Sequence, residues 1–336
     1  MQEKLDSLSK TLFKNSKPFL VFQEKEKEDQ VKSLATLDND FILIKKIGKG
    51  GTSKVYLGYE KTSQDKLYAF KIIKTPFSKV LESEHFVLSQ ISDLNIIKSY
   101  SYSPKSKFVK SKKNSSEKEV SYLKLEYMKY GELFDFVFYP RKGFGENMGR
   151  LLFHTLLTAL QSIHEIGIVH RDIKPENIMI DSNFNIKLSD FGFSTSNSGN
   201  LTCYLGTAGY ASPEMCNKQP YNGISNDIFS LGITIFVLVS GNMPFRLTTH
   251  TDPFYNLIIK NKYEEYWQKR GIKLSDSFKE MFNMMIAFNP QQRPSIEELL
   301  NCKWMKEGDF SKSNFQLLNQ EFESRKSIVY SKKSSS

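Results

Sequence analysis

Short apolar runs separated by turn residues begin at Phe41 and follow one another closely. FILIKKIG, KVYLGYE and KLYAFKII are rich in β-branched or aromatic residues, and their spacing predicts three strands in a meander. PFSKVLESEHFVLSQI follows, with Val80, Glu84, Val87, Leu88 and Ile91 at helical spacing, so a helix is expected with these residues on one face. NIIKSYSY and SYLKLEYM read as two further strands, joined by a long lysine-rich connection over 103–119. After Gly131 the period changes. Leu152, Leu156, Ala159, Leu160 and Ile163 form the stripe of an amphipathic helix, and SDSFKEMFNMMIAF and SIEELLNCKWM predict later ones. Strands first and helices afterwards predict an α+β architecture in two unequal parts.

The flanks are less patterned. Residues 1–40 mix charges with weak periodicity and read as an N-terminal extension, with room for a short helix around 20–35. Residues 305–336 turn polar, end in Ser and Lys, and read as a flexible C-terminal tail. The run DIFSLGITIFVLVSG, 227–241, opens on an Asp and is short for a bilayer, so a buried core helix is expected rather than membrane insertion. Three widely spaced cysteines, Cys203, Cys216 and Cys302, make no disulfide framework and point to a reducing compartment. The cytoplasm is expected, with the nucleus as the alternative. MQEKLDSLSK has no long apolar core, Gln2 excludes N-myristoylation, and the end KKSSS carries no prenylation box.

A net charge of +10 invites a nucleic-acid reading. Much of it sits in 103–119, where six lysines face two glutamates. Only Phe108 there is aromatic, so a solvated mobile loop is the better reading and nucleic acid is not an expected partner.

Chemistry enters with IGKGGTSKV, 47–55, between the first two predicted strands. Gly48 and Gly50 would let the backbone approach a phosphate, although a tight hairpin with a bulge would look similar. Lys71 falls on the same strand face as Ala69 and Ile73, an odd place for an unpartnered charge. Glu84, on the apolar face of the next helix, supplies the partner, and a Lys71–Glu84 pair is expected over two separately solvated charges. IVHRDIKPENIMI, 168–180, packs six polar residues between apolar ends. Asn177 and the Asp190 of SDFG flank a short predicted hairpin and would converge on a hard cation such as Mg2+. Asp172 is then free to take a proton from a hydroxyl, and Lys174 can neutralise charge on a transferring phosphate.

These residues resemble the protein kinase family, over about residues 41–304 and in the family's order. HRDIKPEN, with Lys174, is similar to the serine/threonine branch. EYMKYGELFDFV and GYASPE look most like its calmodulin-dependent and AMP-activated-like members. The resemblance implies a bilobal fold, with a small, mainly β N-lobe (41–128) carrying one regulatory helix and a larger, mainly α C-lobe (131–304). It implies an enzyme that uses ATP and Mg2+ to phosphorylate Ser or Thr of protein substrates. Gly48, Gly50 and Ser53 would cover the phosphates, Ile47 would join the ATP site, and Lys71, oriented by Glu84, would hold two of the phosphates. Leu125 would be the gatekeeper, and the backbone of Glu126 and Met128 would bind adenine. Val55, Ala69 and Met179 would sandwich the ring, and Glu132 would reach the ribose. Asp172 and Lys174 would be catalytic, Asn177 and Asp190 the metal ligands, and Thr207 would line the acceptor side. Glu214 and Arg293 would form a buried pair, and Asp227 would brace the catalytic loop.

Three departures bear on regulation. Ser53 replaces the third loop glycine. Ser99 stands where the family usually has a large apolar residue behind the regulatory helix, which would leave that helix less well packed. Cys203 occupies the usual phosphate-acceptor position, so Thr202 is expected to carry an activating phosphate opposite Arg171, by autophosphorylation or an upstream kinase. Activity without loop phosphorylation is the alternative. Glu132 and Glu176 match positions that favour basic residues upstream of the acceptor. A pseudokinase scaffold is the competing reading from another class; such chains lack one of the Lys, the two Asp or the Asn, all present here.

Overall fold

A computed structural model of the chain describes residues 34–111, 117–197 and 199–334. The helix expected around 20–35 lies almost wholly outside them. The chain folds into two compact units, one built mainly from the segments up to Ser92 and Ile97–Gly131, the other from Asp93–Ile96 and Glu132–Lys332.

The first unit is a closed antiparallel barrel in the order β1-β2-β3-β4-β6-β5. Its strands are β1 (Ala35–Leu37), β2 (Phe41–Lys49), β3 (Lys54–Glu60), β4 (Ser63–Lys74), β5 (Ser99–Lys110) and β6 (Lys118–Glu126). The expected meander is β2 to β4. Alternation turns Leu43, Tyr56, Phe70, Ile72 and Tyr122 into one core, where burial of large apolar side chains supplies the stability. Two expectations are corrected. The barrel starts before residue 41, inside the expected extension, because Ala35 and Leu37 are buried in that core and β1 closes the barrel between β2 and β5. The lysine-rich stretch is mostly strand: Ser106 and Phe108 point inward while Lys105 and Lys107 pair across with Glu119 and Glu117 at 3.0 and 3.3 Å. A period of two sits beneath the charge count.

Helix α1 (Ser78–Ser89) packs against this barrel. It buries Leu81, Glu84, Val87 and Leu88, whereas Val80, placed on that face from sequence, is 47% exposed. On the helical wheel Val80 lies between Val87 and Glu84, but it stands in the first turn of the helix, where it meets solvent.

The second unit is mainly helical. In α3 (Gly145–Glu165), which follows the single-turn α2 (Asp135–Phe138), all five stripe residues are buried. Helix α4 (Gly223–Ser240) is long and apolar enough to cross a membrane, so shortness is not what marks it as a core helix; 83% of it is buried inside the fold. Ser275 caps α5 (Asp276–Met285). SIEELLNCKWM forms two helices rather than one, α6 (Ile296–Leu300) with a Ser295–Glu298 capping box and α7 (Lys303–Lys306), because Cys302 between them is extended.

The polar tail is also corrected. Residues Lys312–Ser334 form a 23-residue helix, α8, with Leu318, Phe322 and Val329 buried at helical spacing. Within the same stripe, Arg325 donates to the carbonyls of Phe136, Lys142 and Gly143 at 2.7–2.8 Å, and its guanidinium lies 4.0 Å from the Phe144 ring. Phe322 packs edge-on against Phe136 and Phe144. A charged residue that reads as surface in sequence is the pin of the helix, because α2 and the loop after it offer it three carbonyls.

Candidate active site

In the first unit the β2–β3 turn is tight. Gly48 pairs with Val55 just past a register shift, and the Gly50 N–H donates to the Ser53 carbonyl at 3.0 Å. A Cβ on Gly50 would lie 2.8 Å from the Ser53 hydroxyl oxygen, a contact that rotation of that side chain would relieve. Ile47 and Ala69 are buried beside it in sequence and sheet, and Ala69 stands opposite Leu125 across β4 and β6. The expected ion pair is present. Lys71 Nζ lies 2.7 Å from Glu84 Oε2, and Glu84 is 1% exposed, so this carboxylate is stabilised by the lysine rather than by water. Glu126 donates its N–H to the Lys98 carbonyl at 2.8 Å, and Met128 is buried.

The second unit holds the loop 170–177 between β7 (Ile168–Val169) and the hairpin β8 (Ile178–Ile180) and β9 (Ile186–Leu188). Arg171 and Asp190 both adopt left-handed backbone, with φ of 69° and 60°. Such positions cost about 1–3 kcal/mol each for residues other than glycine, and they persist where surroundings over-determine them. For Arg171 the cause is visible. Asp227, fully buried on α4, accepts the N–H of His170 and of Arg171, each at 2.8 Å, so the helix braces the loop as the sequence suggested. At the other end, Ser189 donates through both N–H and hydroxyl to the Asn177 carbonyl, at 2.8 and 2.9 Å, while His170 Nε2 reaches the Ser189 carbonyl. Asn177 and Asp190 are thereby tied to one place.

Asp172 is the centre of the cluster. Its Oδ2 receives Lys174 Nζ at 2.7 Å and Asn177 Nδ2 at 2.8 Å. Its Oδ1 receives the Thr207 hydroxyl at 2.8 Å, and Lys174 also donates to Thr207 at 2.6 Å. The amide of Asn177 is oriented by these donations, so its oxygen is the end for a hard cation. That oxygen and the Asp190 carboxylate are the groups that would hold Mg2+, a hard cation that completes its shell with water and phosphate oxygens. Within this unit, Lys174, Asn177 and Asp190 are groups that could serve Mg2+ and its phosphates. Met179 is buried in β8 and Glu132 is half-buried.

Glu176 differs from the other site carboxylates. Its Oε2 is covered and has no hydrogen-bond partner among the described residues, and the buried Tyr210 hydroxyl has none there either. Burial pushes the Glu176 carboxyl up to about 7, against the pull of Lys174. Burial likewise raises the Tyr210 phenol well above its ordinary value.

The Arg171 guanidinium is already engaged: Nε donates to the Phe193 carbonyl at 2.6 Å, and Nη1 lies 3.4 Å from the Cys203 carbonyl and the Tyr221 hydroxyl. Tyr221 in turn donates to the Cys203 carbonyl at 2.9 Å and pairs its backbone with Leu201 in both directions. Gly206, at φ 135°, comes so close that a Cβ would sit 3.0 Å from the Arg171 carbonyl. Thr202 is exposed. Tyr221, in QPYNG, carries only a turn signal in sequence, since its partners lie 18 and 50 residues away.

Glu214 and Arg293 meet as expected, bidentately at 2.8 and 2.7 Å, with the guanidinium 4.8 Å from the Phe229 ring. Residues 41–305 match the family model described as the protein kinase domain. The chain belongs to the protein kinase family. Among curated relatives, this kinase is 32% identical over 270 residues to calcium/calmodulin-dependent protein kinase type 1 of Caenorhabditis briggsae, covering 77% of this chain and 70% of the relative. It is 30% identical over 273 residues to the probable serine/threonine-protein kinase MARK-A of Dictyostelium discoideum, covering 79% and 24%. With CBL-interacting protein kinase 10 of Oryza sativa subsp. japonica it shares 31% over 285 residues, covering 82% and 58%. The kinase thus spans about a quarter, 58% and 70% of these relatives, and they place it in the serine/threonine branch.

Proposed function

We propose that the protein transfers the γ-phosphate of ATP to Ser or Thr hydroxyls of protein substrates. The observation that carries this is Asp172, whose two carboxylate oxygens are held by Lys174 and Asn177 on one side and face a hydroxyl, that of Thr207, on the other. An acceptor hydroxyl in the same relation to Asp172 would give up its proton there as it attacks. Lys174 stands ready to neutralise charge on the transferring group, and Lys71, kept in place by Glu84, would hold the other phosphates. Asn177 and Asp190 would hold Mg2+, which supplies charge neutralisation of the phosphates when bound. The barrel unit with α1 is read as the N-lobe and the helical unit as the C-lobe.

The substrate preference is read as basic upstream of the acceptor. A covered Glu176 oxygen without a protein partner, beside a Tyr210 hydroxyl in the same condition, suits an arriving guanidinium. A degenerate peptide library phosphorylated with labelled ATP tests both points. Wild type should select Arg or Lys upstream of Ser or Thr, and Glu176→Gln should lose about tenfold of that preference. Transfer without basic selection would leave the kinase reading standing and remove the preference; no transfer to any peptide would remove the reading itself.

Ordering of the activation segment is read as resting on Arg171, Tyr221 and the Cys203 carbonyl, with a phosphate on Thr202 as reinforcement. Thr202→Ala should keep activity within about threefold, whereas Tyr221→Phe, which removes the hydroxyl between Arg171 and the segment, should cost about tenfold. Loss of activity in Thr202→Ala, rescued by phosphorylated wild type only, would restore Thr202 as the switch.

A further inference from the structure

Ser99, small and polar, predicts a poorly packed regulatory helix. Instead its hydroxyl lies 2.7 Å from Nδ1 of His85, on α1. We infer that His85 and Ser99 form a polar latch that holds α1 where Glu84 meets Lys71, which makes His85 a positioning residue for phosphate transfer.

Three observations support this. First, His85 directly follows Glu84, so any swing or rotation of α1 that frees His85 also draws Glu84 from Lys71. Second, the apolar attachment of α1 is narrow. Leu81, Val87 and Leu88 are buried, while Phe77 just before the helix, Val80 and Phe86 are 49, 47 and 64% exposed. With so few apolar anchors, polar contacts weigh more in fixing the helix. Third, the same strand grips α1 again at its start, where the Tyr102 hydroxyl donates to the Ser78 carbonyl at 3.2 Å. The rings of His85 and Tyr102 lie 6.1 Å apart. β5 therefore holds α1 at two points along its length. Either imidazole tautomer makes the bond, since the hydroxyl both donates and accepts.

The catalytic consequence rests on the proposed role of Lys71, so the test reads the helix and the chemistry separately. Hydrogen exchange is followed on the full chain at the amides of 81–89 and of β4, alongside kcat and KM for ATP. Ser99→Ala and His85→Leu should each raise exchange in α1 by about fivefold, the effect of one half-buried hydrogen bond, with β4 unchanged. Both should raise KM for ATP more than they lower kcat. Ser99→Thr keeps the hydroxyl and should behave as wild type, and the pair His85→Leu with Ser99→Leu should regain protection through apolar contact. Unchanged α1 exchange in both single variants overturns the latch. Loosened helices with no change in KM or kcat overturn its positioning role, and loosened helices in a chain that transfers no phosphate even as wild type overturn the kinase reading while the latch stands.

Discussion

Asp172→Asn and Asp190→Asn should each lower phosphate transfer by about three orders of magnitude or more, with the chain still folding cooperatively. The two should fail differently. Asn at 172 keeps one oxygen to accept from Lys174 and Asn177 and can donate its N–H to the Thr207 hydroxyl oxygen, so the cluster survives, but it cannot take a proton from an attacking hydroxyl. ATP binding should therefore persist in Asp172→Asn, with its dependence on Mg2+ intact. Asp190→Asn removes the charged member of the oxygen pair that would hold the cation, so Mg2+ should no longer strengthen ATP binding. Calorimetric titration of ATP with and without Mg2+ separates the two. Transfer near wild type in Asp190→Asn would remove the metal assignment.

The largest effect on stability is expected far from the chemistry. Arg293 has a fully covered side chain, bonded bidentately to Glu214 and through Nε to the Ala287 carbonyl at 3.0 Å. Glu214→Ala leaves that guanidinium buried without its counter-charge, at a cost of about 3–5 kcal/mol. Glu214→Gln, which keeps the shape and one acceptor, should cost less. Chemical denaturation of the full chain, followed by tryptophan fluorescence from the helical unit, reads the change. Trp304 reports well because it is fully buried there. A midpoint unchanged in Glu214→Ala would mean the pair contributes nothing, against the geometry.

Local pattern and compact motif make much of this legible. HRDIKPEN and SDFG place their functional groups within a few residues and one hairpin, so Asp172, Lys174 and Asn177 can be paired before any coordinates. Lys71 and Glu84 are legible because each breaks an apolar face, which only a partner explains. Period and distance hide the rest. In 103–119 the density of lysines masks the alternation that buries Ser106 and Phe108. In the tail, Leu318, Phe322 and Val329 keep helical spacing, but polar residues dilute the stripe and its strongest contact is Arg325. His85 and Ser99 stand 14 residues apart on different elements, and Arg171 and Tyr221 stand 50 apart. Neither pair has a local signature, since a histidine on a helix and a tyrosine in a turn look ordinary until the fold joins them.

On the proposed reading, this chain moves phosphate from ATP to protein hydroxyls through Asp172. The direct measurement is transfer from ATP labelled at the γ-phosphate to a Ser/Thr peptide library, with Asp172→Asn in parallel and the labelled residues identified by hydrolysis. Label on phosphoserine or phosphothreonine with wild type, falling about a thousandfold with Asp172→Asn, is the predicted result. Equal labelling by both proteins, or none by wild type under conditions where it binds ATP and Mg2+, would contradict it.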